Sequence, residues 1–442
     1  MTAAERFVVL GLAHARSTWF PDLGRWATSG AVPAQFVKCL SAEEVRVRLA
    51  SGRSFSALVA DAGLPAVDRD LLGAARAAGC APLVVDDGRV TRDWVALGAA
   101  GVLHPGFGRD DLIGVLHAYA RPIARTEART DHLASSVAPP PAWRGPVAVL
   151  TGPGGTGVST AAIALAQALG DDAGNAGLVC LADLRLHAEQ AVLHDAGDVL
   201  PSVQELVEAH RAGQPSPEQV RAQTFAVEER NYHLLLGLRS ARFWSTLRRR
   251  AFEAAFGSLQ RAYRAVVCDV DPDLEGEEEG GSIDVEERNV MARTAVRRAD
   301  VVFVVGLPSM KGVHALVRVL ADVVAFGVEP GRIVPVVNCA PRSPRTRASL
   351  TAAVAELVAP AVARVGTASG TGMAGPVFLP ERKVDDDLHD GARLPALLGA
   401  PLAGAFRAVL DRAAPPADIG IERVRPGTLG RWADPGAEVA NG

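Results

Sequence analysis

Gly152-Pro153-Gly154-Gly155-Thr156-Gly157-Val158-Ser159-Thr160 is the stretch on which the reading of this chain turns. It follows the apolar run Val147-Ala148-Val149-Leu150 and opens a helix-like segment, Ala161 to Leu169. A strand, a glycine-rich turn and a helix start, in that order, form a cradle for phosphate. Glycines let consecutive backbone N–H groups converge on one anion, and the helix N-terminus adds the positive end of its dipole. Against the pattern G-x-x-x-x-G-K-[S/T] the match runs from Gly152 to Gly157, fails at Val158 and recovers at Ser159. The absent residue is the lysine that reaches the terminal phosphates.

A chain of 442 residues holds two or three domains, each with its own core. Its 48% apolar and 22% charged residues describe an ordinary globular protein rather than a disordered one. The net charge of −4 gives no general attraction to nucleic acid or to anionic lipid, so nucleic acid is not an expected partner. Lys38, Lys311 and Lys383 are the only lysines, and none is near the glycine loop in sequence. Cys39, Cys80, Cys180, Cys268 and Cys339 are scattered without C-x-x-C or zinc spacing, and read as buried, reduced thiols. No uncharged apolar run approaches the about 18 residues that span a bilayer. With Glu5 and Arg6 at its start, the chain is unlike a secretory precursor. The expected address is the cytoplasm, with membrane contact only peripheral and through partners.

Residues 6 to about 120 alternate apolar runs with helical periodicity. Phe7-Val8-Val9-Leu10, Phe36 to Leu40, Ala57 to Ala60, Pro82 to Val85 and Gly101-Val102-Leu103 read as strands, with Ala42 to Leu49 and Arg69 to Ala78 among the helices between them. That rhythm predicts a doubly wound parallel sheet. Asp61-Ala62-Gly63-Leu64-Pro65, at the end of the third strand, resembles the D-x-x-x-P phosphoacceptor of response-regulator receiver domains. The rest of a receiver's acidic pocket is missing. Leu12-Ala13-His14 stands in place of the paired acids, Asp86 in place of Ser or Thr, and His104-Pro105 in place of Lys-Pro. Without the acid pair a Mg²⁺ ion has too few hard oxygen ligands, so the resemblance implies a flavodoxin-like pseudo-receiver used for docking over residues 1–120. The Arg-rich and then proline-rich stretch 121–145, with Ala138-Pro139-Pro140-Pro141, reads as a spacer.

From Pro146 the α/β rhythm returns. Gly177 to Leu181, Tyr232 to Gly237, Ala265 to Pro272, Val301 to Val305 and Ile333 to Asn338 read as strands, and Phe243 to Tyr263 and Val313 to Ala325 as helices. The order of these pieces resembles the MinD/ParA class of P-loop ATPases, and most of all its CpaE/TadZ branch, which joins a receiver-like domain to a MinD-like one. Some actinobacterial members are proposed to influence septum placement. The resemblance spans about residues 6 to 412, and implies an α/β protein of two doubly wound domains with a MinD-like P-loop domain over 146–412 and a flexible tail over 413–442.

The MinD-like loop reads K-G-G-x-G-K-[S/T]; here Pro153 and Val158 stand at the two lysine positions. The resemblance implies ATP and Mg²⁺ as cofactors, with Gly152, Gly154, Gly155, Thr156, Gly157, Val158, Ser159 and Thr160 around the phosphates and Ser159 and Asp269 toward the metal. It also implies Asp183 as the surviving acid of a D-A-D motif, Asn338 on the base, and Pro380 in the loop that covers it. A positioned cation at a transferring phosphate is worth on the order of 10³–10⁵ in rate, so hydrolysis is expected to be very slow or absent. The Glu275, Glu277, Glu278 and Glu279 cluster adds negative potential, while Arg185 or Arg242 could replace the lost charge in space.

These features predict a scaffold that positions a pilus or secretion machine or the division septum, recruited to a pole or septum by protein partners and able to form a homodimer. An active MinD-type dimerisation switch and a ParA-like DNA-binding partition protein are the rival readings. Arg248, Arg249 and Arg250 beside Phe252 and Phe256 could face membrane or DNA, but a sheet-covering helix with a solvated face accounts for the same pattern. His187, Glu189, His194 and Asp195 fit no metal spacing and read as a polar surface segment.

Overall fold

The computed structural model describes residues 6–14, 16–51, 53–123, 143–197, 199–277, 283–365 and 372–412. Most of the expected spacer, the expected tail, and Glu278 and Glu279 lie outside them.

The first 120 residues build one sheet from β1 (Phe7–Leu12), β2 (Ala34–Cys39), β3 (Ala57–Asp61), β4 (Ala81–Val85) and β5 (Gly101–Leu103), in the order β2-β1-β3-β4-β5. Every neighbouring pair in it is parallel. This is a doubly wound order, in which the chain reverses direction across the sheet beside β1 and β3. The pocket positions tie loops together. Asp61 accepts hydrogen bonds from the His14 N–H at 3.2 Å and from the Ser17 hydroxyl. Asp86 accepts from the Trp94 indole at 2.9 Å and the Gly88 N–H at 3.0 Å, and the His104 ring accepts from the Gly106 N–H at 3.2 Å.

A second sheet holds β6 (Val147–Thr151), β7 (Val179–Leu184), β8 (Phe225–Val227), β9 (Tyr232–Leu235), β10 (Ala265–Val270), β11 (Val301–Gly306), β12 (Ile333–Ala340) and β13 (Val377–Pro380). Their order is β13-β12-β11-β6-β10-β7-β9-β8, all parallel except the antiparallel edge pair β8–β9. Central parallel strands are covered on both faces and therefore read as continuous apolar runs. The period of two then sorts their residues. Val147, Val149, Cys180, Val266, Cys268, Val302 and Val304 enter a core beneath the helices Val203–Ala212, Arg249–Ala262, Val290–Arg298 and Met310–Ala325. Ala148, Leu150, Val179, Leu181, Ala265, Val267, Val301 and Phe303 enter the opposite core, beneath Val158–Gly170 and Ala396–Arg412.

Three expectations are corrected. Phe243 to Tyr263 is not one helix: a 3₁₀ turn, Ala241–Thr246, is followed by extended backbone at Leu247 and Arg248, and the α-helix runs only over Arg249–Ala262. Leu247 stays in the core, which keeps helical spacing in the sequence without a continuous helix. Of the five cysteines, Cys339 is exposed, because the β12–β13 pairing shifts register between Val337 and Ala340. The 187–195 segment is not simply surface: Gln190 is fully buried and the His194 ring bridges the Gln190 carbonyl and the Tyr232 hydroxyl. Burial pushes the His194 pKa down to about 4. Among the described residues no helix is long and apolar enough to cross a membrane.

The two sheets meet through helices. Arg69–Ala77 packs on Val203–Ala212 and Arg249–Ala262, with the Arg69 guanidinium donating to the His210 and Gly213 carbonyls at 2.8 and 3.0 Å. Asp68 caps its own helix at the Leu71 N–H and pairs with Arg211 at 2.9 Å. Arg250 lies across Gly73, where an added Cβ would stand 2.4 Å from its Cδ, and its N–H donates to Asp70. Arg249 is engaged by Glu253 and Glu286. Two of the three clustered arginines are thus used inside the molecule. Asp68→Ala removes a cap and an ion pair together and is expected to lower the unfolding free energy by about 1–3 kcal/mol; Asp68→Asn, which can still cap, should cost less. Urea unfolding of the two variants checks the order.

Candidate functional site

The glycine loop leaves the carboxyl end of β6, in the middle of the second sheet, and enters Val158–Gly170. Two glycines are dictated by their surroundings. Gly152 has φ +155°, and a Cβ there would stand 2.3 Å from the Val305 carbonyl oxygen on β11. Gly157 has φ +86°, and its Cβ would fall 2.4 Å from Asn338 Nδ2. That amide donates to the Thr156 carbonyl at 2.9 Å, so Asn338 holds the turn as well as facing its outlet. Thr156 also ties the loop to itself through its hydroxyl, 2.8 Å from the Pro153 carbonyl. Gly157 gives the helix no side-chain cap, which leaves its first N–H groups for an anion. Val158 is 4% exposed and packs into the core, close beside Gly152.

Strand register assembles the rest. Asp183 on β7 pairs directly with Asp269 on β10, and their alternation turns both toward the face that carries the loop helix. Both are 0% exposed. Asp183 lies inside the strand rather than after it, because β7 runs to Leu184 instead of ending at Leu181.

Gln190 joins the two acids. Its N–H donates to Asp183 Oδ2 at 2.9 Å and its side-chain amide to Asp269 Oδ2 at 2.8 Å. Asp269 Oδ1 also lies 3.5 Å from Arg185 Nη1. The other guanidinium arm is 3.3 Å from Asp271 Oδ1, while Asp271 Oδ2 accepts from the Leu186 N–H at 2.7 Å. Arg185 is thus seated between Asp269 and Asp271. For Arg242 the recorded contact is elsewhere, over the Phe243 ring.

Burial, and then the neighbouring Asp269, push the Asp183 pKa up to about 8. Burial also raises that of Asp269, but Arg185, Ser159 and Gln190 oppose the rise. Burial thus works hardest against charge on Asp183, while the donors gathered at Asp269 favour charge there. Three buried polar atoms without a protein partner, Thr151 Oγ1, Arg185 Nε and Gln190 Oε1, belong to residues of this region.

Beside the loop a cavity of about 120 Å³ is lined by Gly157, Thr160, Asn338, Leu379, Pro380 and Arg382. Its outer wall is pinned from behind by Arg230, 0% exposed, whose guanidinium donates to the Asp387 and Ala392 carbonyls at 3.0 and 2.8 Å. Asn338, Thr160 and Pro380 thus converge on one hollow, while Asp183, Asp269 and Ser159 form the adjoining polar floor. Gly154 and Gly155 are exposed at the crest of the loop. A larger open groove of about 950 Å³ on the first sheet, lined by Arg6, Arg25, Phe36 and Lys38, touches none of these residues.

The donor set does not suit a divalent cation. Both Asp269 oxygens are engaged by protein donors, and a guanidinium already stands against the carboxylates. Among the described residues no three His, Cys, Asp or Glu side chains cluster as ligands. Gln190 and the seat of Arg185 carry no motif; only a buried pair of acids demanding donors announces them.

Because the folded state keeps on Asp183 a proton that the unfolded chain gives up near pH 4, this residue lowers stability progressively as pH rises from about 4 to about 8. Asp183→Asn is expected to remove that slope, gaining at least about 1 kcal/mol over the native sequence between pH 5 and pH 8. Unfolding free energies across pH check it; parallel curves for the two proteins would contradict the assignment.

No protein-family model matches the chain, and no curated protein matches it in sequence. Solved structures similar to it include a ParA family ATPase from Chlorobium tepidum, at 13% identity and a TM-score of 0.45 over 61% of this chain and 99% of that one. A cell division ATPase MinD from Pyrococcus furiosus aligns at 16% identity and 0.41 over 60% and 99%. The septum site-determining protein MinD of Pyrococcus horikoshii, complexed with Mg-ADP, aligns at 18% and 0.40 over 60% and 93%.

Proposed function

We propose that this chain is a nucleotide-binding spatial regulator of the MinD/ParA type, most like the CpaE/TadZ branch, with little or no ATP hydrolysis. The observation that carries the proposal is contiguity: a glycine loop whose helix start is uncapped opens directly onto the Asn338–Pro380 cavity. The N–H groups of residues 154 to 160 would hold the α- and β-phosphates, and the cavity would take the base. Both tasks use backbone and shape, so neither needs the missing lysines.

Hydrolysis is another matter. Pro153 and Val158 offer no charge to a γ-phosphate, and Arg185 is committed to Asp269 and Asp271. Stabilising charge as it develops on the transferring phosphoryl group is most of what such a site does. A loop that binds but does not stabilise that charge makes a marker rather than a motor.

In this reading residues 1–120 form a pseudo-receiver, 121–145 a spacer, 146–412 the nucleotide-binding domain and 413–442 a tail. The Ser17 hydroxyl and the His14 N–H on Asp61 support a structural rather than a phosphoacceptor role for that residue. The pseudo-receiver would dock a protein partner of a pilus, secretion or division machine in the cytoplasm, recruiting the chain to a pole or septum, and the second domain would pair as a homodimer. The two glutamates on Arg249 and the lie of the Arg250 side chain across Gly73 weigh against a DNA-binding role.

Calorimetric titration with ADP and ATP is expected to give micromolar binding that falls about tenfold in Asn338→Ala, which unpins the turn. A phosphate-release assay should show turnover indistinguishable from background. Steady hydrolysis that disappears in Ser159→Ala would overturn the non-catalytic reading, and no heat with either nucleotide would overturn binding itself.

A further inference from the structure

We infer that the guanidinium of Arg185 occupies the place a divalent cation would take, so that this site binds a nucleoside diphosphate without Mg²⁺. The inference rests on the nucleotide-binding reading above and concerns what neutralises charge in that site.

The geometry is that of a built-in counter-ion. Arg185 reaches Asp269 with one arm, at 3.5 Å, and Asp271 with the other, at 3.3 Å, so it spans the two carboxylates at the end of β10. Its backbone is held from both sides: the Arg185 N–H donates to Asp183 Oδ1 at 3.3 Å and the Leu186 N–H to Asp271 Oδ2 at 2.7 Å. The side chain is 15% exposed, too enclosed for the arm to wander. Its Nε–H is buried and has no acceptor among the described residues. Arginine carries five donors and no acceptor and keeps its charge at any working pH, so a donor left over in such a place calls for an oxygen.

A cation seated here needs oxygen ligands, and they are taken. Asp269 receives Gln190 and Arg185, while Asp183 receives the N–H groups of Gln190 and Arg185. Mg²⁺ demands near-octahedral oxygen at short range; to enter it would have to displace the guanidinium and draw the Gln190 amide off Asp269. A fixed positive group beside the carboxylates also repels the incoming ion. What the metal gives other phosphate sites, positive charge next to the β-phosphate, falls here to the one donor the carboxylates leave over, the buried Nε–H of Arg185, as a charge-assisted hydrogen bond.

Titration of ADP into the full-length chain, once with excess EDTA and once with millimolar MgCl₂, tests this by binding alone. The expected dissociation constants agree within about threefold. Arg185→Ala is expected to lose about tenfold in EDTA, the worth of one charge-assisted hydrogen bond, and to regain most of it with MgCl₂ once Asp269 and Asp271 are freed. A native affinity that rises about tenfold or more on adding MgCl₂ overturns the inference and leaves nucleotide binding standing; so does Arg185→Ala binding like the native chain in EDTA. ADP failing to bind in either buffer defeats the inference together with the reading beneath it. The comparison on the native chain needs no variant, so misfolding of Arg185→Ala cannot shelter the idea.

Discussion

Two carboxylates at the same height on neighbouring strands govern the chemistry of this molecule. Register places Asp183 of β7 beside Asp269 of β10, and the sheet buries both completely. Removing two charges from water costs several kcal/mol each unless they are neutralised or well bonded. The fold meets this demand in two ways: burial biases Asp183 toward its neutral form, and Gln190 and Arg185 are brought to Asp269. A four-residue helix, Gln190–Leu193, has little intrinsic stability; its place is fixed by the acids it caps. His194 and Tyr232 then anchor its far end.

Around that floor, backbone features and side-chain features have fared differently. The turn is preserved by sterics, since Gly152 and Gly157 admit no Cβ against Val305 and Asn338. Charge at the loop is not preserved: a pyrrolidine and a buried isopropyl group stand where cations would be useful. Burial of Val158 in the core gives that substitution a packing role of its own, so the loop is stable as it is rather than damaged.

Much of the architecture is legible because parallel strands buried on both faces spell uninterrupted apolar runs, and eleven of the thirteen strands among the described residues stand out in the sequence as such runs. The short edge strand β8 and the late strand β13 do not, having three and four residues and no flanking periodicity. Ser159, Asp183, Asp269 and Asn338 are singled out by their order along the chain. Gln190 is not, since its role exists only once two distant strands are adjacent. Arg185 and Arg242 are the arginines the sequence offers to replace the lost lysine charge, and Arg185 is held by the acids Asp269 and Asp271. The break at Leu247 and Arg248 was hidden because a 3₁₀ turn followed by a helix keeps Phe243, Leu247 and Phe252 on one side.

Arg230 gives the hollow beside the loop its mechanical character. Its charge is sealed beneath the segment that carries Val384 and Leu388, and its anchors are two main-chain oxygens, at Asp387 and Ala392. Lifting that segment would strand a cation in a dry interior, an outcome far costlier than loosening a surface strap. The rim is therefore riveted rather than hinged, and the hollow keeps a fixed aperture.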